Sequence, residues 1–194
     1  MNPIDLVPKA LRRAQLVLMR MRFARSVRPH RVTALGDSIT HGLGNDADAV
    51  LNLGLHGETT HGLLRSLPYY EHSVAGASAV LLMIGTNDAW QNQTEGIERR
   101  LEGIIQAIPA DKPVIWSSIP PSGHWAFNLR RVAAVNRFIQ SVAEQRPNTA
   151  FVDTWALFTD ERGFLNYDYF LSDRVHLSPA GYRRWTKALK DALP

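Results

Sequence analysis

The sequence contains no cysteine. Disulfides, a thiolate nucleophile and cysteine-ligated zinc are therefore excluded, but the compartment is not fixed, because many exported proteins also lack disulfides. Long apolar runs are missing as well, since the longest, 79–84, is far shorter than the ~20 residues that cross a bilayer. We expect no membrane-spanning helix, and a soluble protein that is cytoplasmic or peripheral to a membrane.

Acidic residues are nearly missing from the first part of the chain. Residues 1–31 carry eight lysines and arginines against Asp5 alone, a net charge of +7, so the rest of the chain carries −3 of the formal +4. The basic character therefore belongs to an N-terminal arm and says little about the body of the protein. Because the body is acidic and no recognition motif accompanies the arginines, we expect no nucleic-acid partner.

Within that arm, apolar residues recur at helical spacing, Pro8 suits a first helical turn, and Pro29 would stop the run. This pattern predicts a basic amphipathic helix over 8–27, in an N-terminal unit of residues 1–30. Two interpretations are open: the helix lies on an anionic membrane surface with its apolar stripe buried, or it docks on the protein's own domain. The stripe consists of Val7, Leu11, Ala14, Leu18 and Met21.

From residue 31 to residue 194, short apolar segments alternate with helical patterns, and the length suits one domain. This alternation predicts an α/β domain with a doubly wound, flavodoxin-like architecture: a five-stranded parallel sheet between two layers of helices. The predicted strands are 32–35, 49–53, 79–84, 114–116 and 150–152. The helical stripes lie within 97–108, 129–142 and 182–193, and Ser178-Pro179 predicts the start of the last helix.

Four short blocks of polar and glycine residues follow predicted strands. In such sheets ligands bind outside the carboxyl ends of the strands, so these blocks should converge on one edge. The blocks are Gly36-Asp37-Ser38, Asn52 to Gly57, Gly85-Thr86-Asn87-Asp88 and Asp173-Arg174-Val175-His176.

The first and last blocks hold the parts of a nucleophilic triad. Ser38 lies where a strand turns into a helix, and the spacing of Asp173 and His176 lets the carboxylate reach the imidazole, fix its tautomer and stabilise its cation. The alternatives are that Ser38 only caps the following helix, and that Asp173 only caps a turn. Because all three residue types are present together, we favour the triad.

Attack on an ester creates an oxyanion that needs hydrogen-bond donors aimed at it in advance. The candidates are the Ser38 N–H, the Gly57 N–H and Asn87 Nδ2. The alternatives are a plain turn glycine, as we expect for Gly54, and an asparagine that bonds its own backbone.

These four ordered blocks, from residue 32 to the C-terminus, resemble those of the SGNH hydrolases of the GDSL esterase and lipase superfamily. The segments around Gly57 and His176 are most similar to the platelet-activating-factor acetylhydrolase and lysophospholipase-like branch. The resemblance implies that Ser38 is the nucleophile, His176 the base, Asp173 its partner, and Gly57 and Asn87 oxyanion donors. The connection from Ser38 to Ala49 is shorter than is usual in the family, which leaves room for only a short helix.

We therefore expect a serine esterase for small-molecule esters, with acetyl-type O-esters as its substrates. A lysophospholipase, a thioesterase, an acyltransferase on the same triad and a non-catalytic acyl-binding module are the alternatives. No Gly-x-Ser-x-Gly surrounds Ser38, and no phosphate-loop spacing occurs. Five histidines, at positions 41, 56, 61, 72 and 124, form no ligand pair at a recognised spacing with a carboxylate, so we expect no metal and no cofactor. The sequence does not indicate the oligomeric state.

Three aromatic residues fall in loops where acyl or alcohol groups would pass. Trp90 lies just beyond Asn87, and His124 and Trp125 follow Pro120-Pro121. They either line a substrate pocket or cover the sheet edge. Both interpretations are open from the sequence.

Overall fold

The structure, a computed structural model, describes residues 30–44 and 49–193. The predicted helix over 8–27 lies outside these residues, so it stays a prediction, as does the division of the chain at residue 30. The helices described in these ranges include none that is both long and apolar enough to cross a membrane.

Five parallel strands form one sheet in the order β2-β1-β3-β4-β5. This order is that of flavodoxin-like folds, so the predicted architecture is confirmed. The register between β1 and β3 pairs Val32 with Ala79 and Gly36 with Met83. The strands are β1 His30–Gly36, β2 Val50–Asn52, β3 Ala77–Met83, β4 Val114–Ser117 and β5 Thr149–Val152.

Helices connect these strands. The three predicted stripes become long helices, and the short connection after Ser38 holds a helix of only five residues. Single turns of 3-10 helix span Leu67–Tyr69 and Tyr167–Tyr169. The α-helices are α1 Ser38–Gly42, α2 Thr60–Ser66, α3 Glu71–Gly76, α4 Thr86–Trp90, α5 Ile97–Gln106, α6 Leu129–Gln145, α7 Thr154–Phe158 and α8 Pro179–Asp191.

The central strands are apolar on both faces because helices cover both faces. Leu35 and Leu82 belong to the core under α5 and α6, whereas Ala34 and Leu81 belong to the core under α8. Side chains alternate between faces along a strand, so neighbouring residues enter different cores. Burying one such leucine stabilises the fold by roughly 1.5–3 kcal/mol.

The last helix joins the two ends of the predicted site. The Tyr182 hydroxyl of α8 donates to the Ile39 carbonyl of α1 at 3.0 Å, and a side chain at Gly42 would overlap Tyr182. Burial, together with the charge of Asp37, raises the pKa of Tyr182 to about 12, so this hydroxyl stays a donor. The helix after His176 therefore packs directly on the helix that begins with Ser38.

Candidate active site

Ser38 is the first residue of α1, directly after the end of β1. The cap of this helix is Asp37, whose Oδ1 accepts from the Ile39 N–H at 3.0 Å. The Ser38 hydroxyl is thus not needed as a cap, which removes the structural alternative considered for it. Ser38 is 8% exposed, so this residue is buried at the carboxyl end of β1 and does not project from the outer surface.

Asp173 and His176 lie on a tight loop after β5. The loop is closed by Leu171 N–H donating to the His176 carbonyl at 2.7 Å and by Arg174 N–H donating to the Leu171 carbonyl at 2.8 Å. Asp173 Oδ1 accepts from the backbone N–H groups of Val175 and His176 at 2.9 and 3.0 Å. Asp173 therefore caps this turn, which is the role that the alternative interpretation predicts for it.

The second carboxylate oxygen of Asp173 binds the imidazole. Asp173 Oδ2 lies 2.7 Å from His176 Nδ1, and His176 Nε2 lies 2.9 Å from Ser38 Oγ. With Nδ1–H donating to the carboxylate, Nε2 of the neutral ring is the acceptor that faces the serine hydroxyl. The structure thus brings Ser38, His176 and Asp173 into one hydrogen-bonded chain.

The Asp173 carboxyl is held in its ionised form. Partial burial alone would raise its pKa, but the hydrogen bonds from the His176 imidazole and from the Val175 and His176 N–H groups outweigh burial and lower the pKa below its ordinary value. A carboxylate that stays charged can keep one imidazole tautomer and can stabilise the imidazolium.

Behind the serine lies a second carboxyl, that of Asp37. It is fully buried, and this burial raises its pKa to about 6, against the opposing effects of the Ile39 N–H, of Thr86 and of the His176 charge. Asp37 Oδ2 and the Thr86 hydroxyl are both buried with no hydrogen bond of ordinary geometry. An ionised Asp37 is therefore costly, and no pattern in the sequence predicts a role for this residue.

The two glycines of the second block serve different purposes. A side chain at Gly54 would collide with the His41 N–H and the Asp37 carbonyl, so Gly54 allows α1 to approach β2 closely and is not the ordinary turn glycine we expected. Gly57 has φ +72° and open space where a side chain would be. A positive φ favours glycine, so the constraint at Gly57 is on the backbone that presents its N–H.

Asn52 holds the first of these turns in place. Its Nδ2 donates to the Thr40 carbonyl at 2.7 Å and to the Gly44 carbonyl at 2.9 Å, and its Oδ1 accepts from the Gly54 N–H at 2.9 Å. One side chain thereby satisfies the end of α1 and fixes the start of the loop to Gly57.

Asn87 lies beside the same loop, at the start of α4. Its Nδ2 donates to the Glu58 carbonyl at 2.8 Å, next to Gly57. An amide nitrogen has two hydrogens, so this bond orients the group and leaves one hydrogen for another acceptor. The two predicted oxyanion donors from the second and third blocks are therefore neighbours, joined through Glu58.

A buried ion-pair network, which the sequence did not reveal, ties these two blocks together. Asp88 accepts from the Thr60 N–H at 2.8 Å and from the Thr60 hydroxyl at 2.6 Å, and Arg100 binds both residues. Asp88 directly follows Asn87, and Thr60 opens the helix after the Gly57 loop. Asp88 belongs to the third polar block, which follows β3, but its partners Thr60 and Arg100 are 28 and 12 residues away in the chain.

Across residues 30–44 and 49–193, histidines and acidic residues form no group of three or more that could hold a metal ion. The hydrogen-bonded chain of Ser38, His176 and Asp173 is the reactive arrangement that the site contains. It is suited to attack on an electrophilic carbon by an oxygen nucleophile.

Comparison with known proteins identifies the family. Residues 34–184 match the GDSL-like lipase/acylhydrolase family. Platelet-activating factor acetylhydrolase IB subunit alpha2 of Bos taurus and of Homo sapiens is 28% identical over 148 residues, which are 74% of this chain and 63% of the relative. The chain thus spans less than two thirds of the length of these relatives.

Two solved structures share the fold. A GDSL-like lipase from Bacteroides thetaiotaomicron superposes with a TM-score of 0.75 at 20% identity, covering 91% of this chain and 96% of the lipase. An acetyl-xylooligosaccharide esterase from Geobacillus Stearmophilus gives a TM-score of 0.66 at 23% identity, covering 84% and 93%. The family match covers most of the chain, and on that ground this protein belongs to the GDSL-like lipase/acylhydrolase family.

Proposed function

We propose that the protein hydrolyses short-chain carboxylic esters, acetyl esters above all, through Ser38, His176 and Asp173. The observation that carries the proposal is the pair of contacts at His176: Nε2 lies 2.9 Å from Ser38 Oγ, and Nδ1 lies 2.7 Å from Asp173 Oδ2. Both distances are within the reach required for a nucleophile, its base and the group that orients the base.

In the first half of the reaction, Ser38 Oγ bonds to the acyl carbon while its proton passes to His176 Nε2. The ionised Asp173 stabilises the imidazolium that results. The tetrahedral intermediate then breaks its bond to the alcohol oxygen, and the proton on Nε2 goes to that oxygen as the alcohol leaves. The product is an acyl ester of Ser38.

In the second half, water attacks the acyl carbon and gives its proton to His176 Nε2. Collapse of the intermediate releases the carboxylic acid, and the proton returns to Ser38 Oγ. In both halves the oxyanion would bind the N–H groups of Ser38 and Gly57 and the remaining hydrogen of Asn87 Nδ2. Such a donor is worth about 2.7–4 kcal/mol of barrier when it is placed in advance.

Two relatives support acetyl as the acyl group. One is named as an acetylhydrolase and the other as an esterase of acetylated xylo-oligosaccharides. A hydrolysis panel of p-nitrophenyl esters from acetyl to palmitoyl tests this part of the proposal. We expect kcat/KM to fall with chain length, and the highest value on palmitate would instead favour the lysophospholipase alternative.

The nucleophile is tested by labelling with a fluorophosphonate probe. Wild type should be labelled and Ser38→Ala should not. Ser172→Ala is the matched control, because Ser172 is an exposed serine of the same loop as Asp173 and should be labelled like wild type. Equal labelling of Ser38→Ala would remove Ser38 as the nucleophile, and an unlabelled wild type would favour a non-catalytic binding module. Transfer to an added alcohol acceptor, seen by product analysis, would identify an acyltransferase.

We also propose that residues 8–27 contact anionic membranes. The support is the sequence pattern of arginines beside an apolar stripe. Sedimentation with phosphatidylserine vesicles should pellet the full chain and leave a chain beginning at Pro29 in the supernatant. Equal pelleting of both would contradict this contact and favour a helix docked on the domain.

A further inference from the structure

We propose that Trp90, His124 and Trp125 form an aromatic platform that binds the alcohol part of the ester, and that this alcohol is a sugar. The inference deepens the proposed function, on which it rests. Its evidence is the packing of the three rings, their connection to the catalytic residues on two sides, and the chemistry of the faces and edges they expose.

The platform is open to solvent. Trp125 is 90% exposed and Trp90 is 38% exposed, both unusual for large aromatic side chains. The ring of His124 stacks on Trp90 with centroids 4.2 Å apart and planes 22° apart, and Trp125 lies 5.5 Å from His124. The three rings thus form one contiguous aromatic cluster, in which Trp125 is the most exposed ring.

The middle ring is held in one orientation. His124 Nδ1 accepts from the Ala126 N–H at 3.2 Å, and the His124 backbone N–H donates to the Ser122 hydroxyl at 3.1 Å. Below it, the buried Phe127 meets Trp90 edge-on at 5.9 Å. Side chains that only cover a sheet edge do not need such fixation, whereas a binding surface gains affinity from being preorganised.

The platform lies between the helix that carries Asn87 and the loop that carries His176. On one side, Trp90 is on the same helix as Asn87, three residues further on. On the other side, the Gly123 N–H and the Ser122 hydroxyl both donate to the Arg174 carbonyl, at 3.1 and 2.8 Å. Because Arg174 lies between Asp173 and His176, the loop with His124 is fixed to the loop that carries the base.

The exposed chemistry fits a sugar ring better than an acyl chain. A long acyl chain is stabilised by enclosure in apolar walls, and an open surface buries only one side of it. A sugar ring has apolar C–H faces and a rim of hydroxyl groups. The platform offers aromatic faces for the former and donors for the latter. In the neutral His124 ring, Nδ1 is an acceptor, so Nε2 carries a proton at the platform's edge.

Further donors border the platform on the side of the base. The Arg174 guanidinium lies 5.2 Å from the centre of the Tyr167 ring, and Gly123 packs against both residues. Tyr167 is exposed and brings another hydroxyl to the rim. An apolar surface surrounded by donors discriminates a polyhydroxylated ring from a plain alkyl alcohol.

The test compares two acetyl esters that differ in the alcohol, 6-O-acetylglucose and ethyl acetate, by pH-stat titration. The readout is the ratio of their kcat/KM values. We expect Trp125→Ala and Trp90→Ala each to lower this ratio about three- to tenfold, the range of a lost aromatic contact. Tyr69→Ala is the control, because Tyr69 is an exposed aromatic residue of the connection into β3 and should leave the ratio unchanged.

The results that would overturn the platform are distinct from failure of the esterase proposal. An unchanged ratio in Trp125→Ala and Trp90→Ala would contradict a sugar platform. So would a result in which both variants lower kcat/KM only for ethyl octanoate, relative to ethyl acetate. Binding of glucose to the Ser38→Ala protein, seen by saturation-transfer NMR and weakened by Trp125→Ala, tests the platform without any hydrolysis. A protein that binds glucose there but cleaves no ester would keep the platform and refute the proposed function.

Discussion

The two partners of the hydrogen bond between Ser38 and His176 are held by different means. We call residues 36–42 the nucleophile half and residues 171–176 the base half. The nucleophile half is enclosed: Ser38 and Asp37 are buried, and Gly36 and Gly42 have no room for a side chain. The base half is open, with the side chains of His176 and Asp173 exposed by 37% and 41%.

This difference separates stability from chemistry. Contacts of the nucleophile half are those of the core, so changes there should alter the stability of the protein before they reveal a catalytic role. In the base half, the side chains of Asp173 and His176 are held mainly by hydrogen bonds within a few residues, so changes to these two side chains should affect the reaction and leave the fold intact. Three substitutions test this separation, and a fourth tests the network behind the predicted oxyanion donors.

The largest effect is expected for Asp173→Asn in the base half. Asparagine keeps an oxygen for the Val175 and His176 N–H groups, but its amide no longer favours the imidazole tautomer that faces Ser38. The kcat should fall roughly 10²- to 10⁴-fold, while the unfolding free energy in urea changes by less than about 1 kcal/mol. Strong destabilisation with little loss of kcat would contradict the division between the halves.

Gly36→Ala in the nucleophile half should have the opposite signature. The new methyl group would overlap the Met83 carbonyl and the Thr40 side chain, where β1 and β3 pair. We expect a loss of about 3 kcal/mol or more of unfolding free energy, measured by urea denaturation. Gly103→Ala in α5 is the control, because its new methyl group meets only the end of Leu64 and should change stability by no more than about 1 kcal/mol.

Asp37→Asn probes the buried charge of the nucleophile half. The Asp37 pKa is raised to about 6, so the folded protein binds a proton that the unfolded chain releases near pH 4, and wild type loses stability as the pH rises between these values. Asparagine keeps the bond to Ile39 and does not titrate. Relative to wild type, the variant should gain about 2–3 kcal/mol from pH 4 to pH 7 in urea denaturation. If the difference in stability between the variant and wild type did not vary with pH, the Asp37 carboxyl would not have the raised pKa.

Asp88→Asn tests the network behind the oxyanion donors. An amide cannot accept from Thr60 and Arg100 as the carboxylate does, so Gly57 and Asn87 should lose their mutual alignment. We expect kcat to fall about tenfold with little change in KM, because donors aimed at the oxyanion act in the transition state. A rise in KM alone would assign Asp88 to substrate binding instead.

Much of the fold could be predicted from the sequence because the helices with clear stripes are long and the inner strands are apolar on both faces. The sequence does not predict the helices α2 and α3, since seven and six residues contain fewer than two turns of periodicity. The edge strand β2 is shorter than the predicted 49–53, because it pairs only with β1 in the sheet order. Pairing on one side gives its ends less support.

For the site, the order of the four blocks predicted which residues meet, but not how their neighbours hold them. Gly54 as a close-packing position and the pairing of Asp88 with Thr60 depend on distances between elements, which no local pattern contains. The Trp90–His124 stack joins the end of α4 to a loop 34 residues further along the chain, so the sequence leaves both interpretations of these rings open.

The central claim is that His176 activates Ser38, and the rate of Ser38 phosphonylation by a fluorophosphonate tests it most directly. This reaction needs the base but neither the natural ester nor the release of a product. His176→Ala should slow the labelling of Ser38, followed by intact mass spectrometry, by roughly 10³-fold or more, whereas His72→Ala, an exposed histidine of α3, should react like wild type. Equal labelling rates in His176→Ala and wild type would contradict the account.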